Sequence, residues 1–143
     1  MKKIMVALTM IFISLFLVAS TGLGYTKVLG YYSFIGDTIY AVNESVCLHE
    51  IAHKADFKDA GFSGKWISAS SEWLLAIENS KAINQGATDI DRFILNYQGE
   101  ITELYADIYM ECVGHDFCIP EELHPFYDFG LLYNLRIERC NGY

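Results

Sequence analysis

The chain has 143 residues, enough for one domain and too few for two. Its net charge of −8 at neutral pH argues against nucleic acid as a partner, because the phosphate backbone would be repelled. An acidic balance also keeps many exported proteins soluble, so charge excludes a class of function and selects none.

The first two dozen residues have the pattern of an export signal. "MKK" supplies a positive start, residues 4–18 are apolar and uncharged, and "ASTGLG" (19–24) offers small residues for cleavage after Thr21, Gly22 or Gly24. Retention of residues 4–18 as a membrane anchor is the competing expectation. Cleavage would release residues 25–143 as the folded domain of a secreted, extracellular protein without stable membrane association, its charge two units more negative without Lys2 and Lys3.

Residues 27–42 read as two strands around a turn at 35–37, being rich in Val, Ile, Tyr, Phe and Thr. A helix follows over 43–57, with Asn43 as N-cap and Glu44 complementing the positive helix end. The glycines of "DAGFSGKW" (59–66) mark a loop. A second helix is expected over 68–83, with Trp73, Leu74 and Ile77 on one side, and a short helical turn over 89–95. A third helix over 100–113 offers Ile101, Leu104, Ile108 and Met110 or Cys112 to the core. After Pro120 and Pro125 a last helix spans 126–140, weakened by Gly130. The expected fold class is therefore α+β, mostly helical with a short hairpin edge.

Four cysteines in an exported chain suggest two disulfides. Cys112–Cys118 would close a short loop and Cys47–Cys140 would tie down the tail. "CVGHDFC" (112–118) is also readable as a Cys-x2-His-x2-Cys metal knot, and isolated buried thiols are a further alternative.

The chemistry is concentrated in "VCLHEIAHKAD" (46–56). On a helix, positions four apart share a face, so His49 and His53 can aim both imidazoles at one point, where a zinc ion fits. Glu50 lies about one hundred degrees round the helix, near such an ion without binding it, as a general base requires. A third ligand has several candidates: Asp59, six residues after His53; His115 and His124, among loop signals; and Glu103 in "ELYAD" (103–107). Glu103 and Asp107 stand four apart, so one could bind metal while the other accepts a hydrogen bond from a ligating imidazole. Ala106 between them keeps that face slim.

The pairing of "HEIAH" with a downstream "ExxAD" resembles the gluzincin metallopeptidases. More narrowly, it is similar to the anthrax lethal-factor-type catalytic domain and the secreted Pro-Pro endopeptidases. The stretches that carry this likeness are "DTIYAVNESVCLHEIAHKAD" (37–56), "SASSEWLLAI" (68–77), "TELYAD" (102–107) and "HPFYDFGLL" (124–132). The resemblance implies a zincin-like domain with one Zn2+ between two helices, held by His49, His53 and Glu103. It makes Glu50 the general base and Asp107 the carboxylate behind a ligand. It implies a tyrosine at the developing oxyanion, for which Tyr97 is the natural match; Asn96 or Tyr105 could occupy the same space. An extended protein or peptide substrate would lie along residues 38–42. Proline preference follows from the likeness alone. A non-hydrolytic, metal-stabilised binding or toxin-associated module is the alternative, and a fourth protein donor such as His115 would favour it.

Overall fold

The structure is a computed structural model that describes residues 30–33, 37–60 and 66–143. The proposed signal and its cleavage sites, and part of the hairpin turn, lie outside those residues. Among the described residues, no helix is long and apolar enough to cross a membrane.

Strands β1 (Gly30–Ser33) and β2 (Thr38–Ala41) form the expected antiparallel hairpin, with Tyr31 opposite Tyr40 and Tyr32 opposite Ile39. Alternation places Gly30 and Tyr32 inward. Tyr31 and Tyr40 stack on the outer face, ring centroids 5.6 Å apart. Asp37 is left-handed (φ 48°) and its carboxylate meets Lys54 Nζ at 2.6 Å, which ties the turn to the next helix.

Helix α1 (Glu44–Ala60) begins as its N-cap predicts: Val46 N–H donates to Asn43 Oδ1 at 3.0 Å. It buries Cys47, Leu48, Ile51, Ala52 and Ala55, and packs against the hairpin and two later helices. After a 3-10 turn (Ile67–Ala69), Ser70 caps α2 (Ser71–Asn84) by accepting from Trp73 N–H. Trp73 and Ile77 are buried as expected, but Leu74 is 39 % exposed. Residues 73 and 77 share a face, whereas 74 lies at its rim, about a hundred degrees from 73 and sixty from 77, and the buried stripe of this surface helix is too narrow to include it. The short helix α3 (Asp89–Leu95) matches the predicted turn, closed by a reciprocal capping box between Thr88 and Asp91.

Helix α4 (Leu104–Glu111) is shorter than the predicted 100–113. Residues 101–103 form a turn, with Glu103 N–H donating to Glu100 O, and Ile101 is 40 % exposed instead of lying in the core. From Leu104 to Tyr109 only Asp107 escapes burial. The last helix, α5 (Phe129–Arg139), starts three residues later than predicted. Pro125 lies in a 3-10 segment (Glu121–Phe126), and Asp128 then caps α5 through Leu131 N–H.

Both favoured disulfides are present, Cys47–Cys140 and Cys112–Cys118. The second replaces the metal-knot reading, since both thiols are consumed. The core under α4 is aromatic: Trp73 stands edge-on to Tyr105 and Phe126, and Tyr105 stacks on Tyr127 at 4.2 Å. Tyr127 OH donates to Tyr105 O, and Tyr105 OH donates to Phe126 O. These bonds let the phenols pack deeply without leaving hydroxyls unpaired.

Candidate metal centre

Helices α1 and α4 pack directly against each other, and Ala106, fully buried, keeps their contact close. This brings together residues fifty apart in the chain. His49 Nε2 and His53 Nε2 lie 2.9 Å apart; Glu103 Oε2 lies 3.2 Å from the first and 3.1 Å from the second. Tetrahedral zinc with bonds near 2 Å sets its ligand atoms about 3.3 Å apart, close to these separations. One carboxylate oxygen and two imidazole nitrogens are also a donor set that zinc accepts. Among the described residues, this is the one group of three or more such side chains able to share an ion.

The electrostatics favour positive charge at this cluster. Burial works against a charge on His49, but the hydrogen bonds its ring donates to the Asp107 and Glu103 carboxylates outweigh it and hold the ring's pKa up at about 9. Burial likewise opposes ionisation of Glu103, yet its bonds to His49 and His53 pull it down to about 2.

Behind the cluster, Asp107 Oδ1 lies 3.0 Å from His49 Nδ1. A carboxylate there fixes the tautomer that turns the Nε2 lone pair toward the shared point. Tyr97 OH donates to the other oxygen, Asp107 Oδ2, at 2.5 Å. Burial and then the Asp107 carboxylate raise the Tyr97 pKa, so the phenol keeps its proton.

Glu50 is almost wholly buried and interacts electrostatically with His53, His49 and Glu103. Burial raises its pKa above the ordinary carboxyl range, with His53 and His49 opposing, and a backbone hydrogen bond from Tyr32 also favours its ionised form. A side-chain carbon at Gly30 would stand 2.9 Å from Glu50 Oε1 and 2.3 Å from Val46 Cγ1, so β1 reaches the carboxyl only because residue 30 is glycine. The strand beside Glu50 is thus β1.

The other candidate ligands lie elsewhere. His115 stacks on Phe117, and His124 Nε2 is 2.8 Å from Ile119 O. The side chain of Asp59 lies outside the described residues. Of the alternatives to Tyr97, Tyr105 is turned toward Phe126 O and Asn96 donates to Arg92 O.

Sequence reasoning missed one support. Asp56, fully buried, accepts from Ser68 N–H (2.9 Å) and Ser68 OH (2.6 Å), which fastens the returning chain to α1. Trp66 thereby stands edge-on to His53, ring centroids 6.4 Å apart. Nothing in the local pattern links Asp56 to Ser68, because the partner is twelve residues further along the chain.

The chain matches no family model, no curated protein and no solved structure.

Proposed function

We propose that the protein is an exported zinc-dependent endopeptidase with a zincin-like domain. The observation that carries this reading is the convergence of His49 Nε2, His53 Nε2 and Glu103 Oε2 within 3.2 Å of one another, beside a buried carboxyl that is not part of the triangle. Three protein donors leave a fourth position for water or substrate, whereas a structural zinc is closed by four. Among the described residues His115 is outside the group able to share an ion, which favours the open form, and the two disulfides suit an oxidising compartment.

When bound, zinc would polarise a peptide carbonyl and acidify the attacking water. His49, His53 and Glu103 would hold it, and Asp107 would keep His49 in the ligating tautomer. Glu50 would take a proton from the water as its oxygen bonds to the carbonyl carbon, then deliver that proton to the nitrogen as the C–N bond breaks. Its raised pKa fits both halves of this transfer, because a carboxylate of low proton affinity would make a poor base. A peptide could lie extended along the hairpin by backbone hydrogen bonds. The position of β1 beside Glu50 favours residues 30–33 as the nearer edge over residues 38–42. For the oxyanion, the resemblance points to Tyr97, whose hydroxyl would first have to leave Asp107.

The test is metal analysis of the purified mature protein together with a peptide-library assay. One zinc per chain and cleavage abolished by a chelator and restored by zinc are the expected results. A protein that binds zinc yet cleaves no peptide in the library would point instead to a metal-stabilised binding module.

A further inference from the structure

The segment joining α3 to α4 holds the Tyr97 side chain in a narrow place. On one side the Phe93 ring stands edge-on, centroids 5.6 Å apart. On the other the backbone passes so close at Gly99 that a side-chain carbon there would stand 2.4 Å from the Tyr97 hydroxyl and 2.6 Å from Cζ. The hydroxyl also lies 3.3 Å from Glu100 O, on the same segment. All three contacts direct the phenol onto Asp107 Oδ2, leaving Oδ1 for His49 Nδ1.

We propose that Tyr97 is a positioning residue that acts on the metal through Asp107 and His49, and that Gly99 is the feature that keeps it there. The inference rests on the metal-site reading above, but assigns Tyr97 a place behind the ligands instead of in front of the substrate. The physical reason is the freedom of Asp107, which lies on the less buried side of α4. A carboxylate with one oxygen unpaired can rotate toward water, and His49 can then exchange tautomers and point a protonated Nε2 at the metal. The phenol removes that freedom by occupying the second oxygen. Groups behind a ligand typically change metal affinity by roughly 10- to 100-fold when removed.

Gly99 supplies a test that leaves the hydroxyl in place. Gly99→Ala adds one methyl group, and the end of the tyrosine ring is the part that must move to admit it. Tyr97→Phe removes the hydroxyl and leaves the ring. The experiment is zinc affinity by competition with a chromophoric chelator, run on the mature protein, with the visible spectrum of the cobalt-substituted protein as a second readout. Both variants are expected to bind zinc roughly 10- to 100-fold more weakly than the parent and to alter the cobalt spectrum. In an Asp107→Asn background, Tyr97→Phe is expected to add little, since its route to the metal is already cut. A purely structural loss would instead persist there, and thermal melts of the metal-free variants identify any that fail to fold. Tyr97→Phe with parental zinc affinity and an unchanged cobalt spectrum overturns the inference, and leaves the phenol free for the oxyanion. A parent chain that binds no zinc overturns the metal-site reading as well, so the two failures are told apart by the parent alone.

Discussion

Two regions of this molecule are rich in metal-binding residue types, and only one brings them to a point. Residues 112–124 carry two cysteines, two histidines and three acids within thirteen positions. Yet the cysteines bond each other, His115 lies on Phe117, and His124 meets a backbone carbonyl. The α1–α4 pair contributes three ligand atoms from positions as far apart as 49 and 103, and they converge. The difference is regularity. A helix repeats its direction every three to four residues, so two ligands on α1 and one at the start of α4 have few orientations relative to each other. A disulfide-closed loop followed by 3-10 turns imposes no common direction on its side chains.

The sharpest way to break this comparison is to remove ligands from each region in turn. His53→Ala or Glu103→Ala is expected to abolish stoichiometric zinc after dialysis, whereas His115→Ala and His124→Ala should keep it. Metal analysis checks all four, and zinc loss in a His115 variant would mean that the second region reaches the site. Next in size is Glu50→Gln. It should retain zinc while peptide cleavage falls by about 10²- to 10⁴-fold, as loss of a general base does. Cleavage at the parental rate would remove Glu50 from the chemistry.

Acidity offers a third measure. His49 in the metal-free centre holds its proton up to about 9, so a metal ion arriving at neutral pH must displace it. Zinc affinity should therefore rise about tenfold per pH unit from 7 to 9 and then level off. The sign follows from competition, because protons and metal seek the same nitrogen. Affinity that is flat across this range would show that His49 carries no proton to displace.

The smallest effect separates the two disulfides. Cys47–Cys140 spans 93 residues and Cys112–Cys118 spans six. Chain entropy in the unfolded state makes the first worth about 4.6 kcal/mol and the second about 2.2 kcal/mol. The Cys47→Ser/Cys140→Ser pair should accordingly melt well below the Cys112→Ser/Cys118→Ser pair. Because Cys47 stands two residues before His49, the first pair should also weaken zinc binding; equal melting temperatures would contradict the ranking.

Much of the site is legible in the sequence wherever spacing within one helix is enough. His49, Glu50 and His53 declare their relative directions through helical periodicity, and Asp107 and the N-cap Glu103, four apart, do so at the start of α4. The start of α1 is legible for a similar reason: Asn43 caps it through a backbone group only three residues away. Leu74 and Ile101 show where this stops. Each is apolar and near a buried face, but whether a neighbouring element covers it depends on how the helices pack.

The sequence by itself therefore determined the local geometry: which residues share a helix face, where α1 begins, and which cysteines lie close enough to close a short loop. Only the tertiary structure decided that the face of α1 meets the start of α4, that Asp56 is spent on Ser68, and that Tyr97 folds under Gly99 onto Asp107. Local geometry follows from bond rotations that repeat every few residues. Contacts between distant segments arise from burying apolar surface, and that driving force has no direction of its own until the whole core has packed.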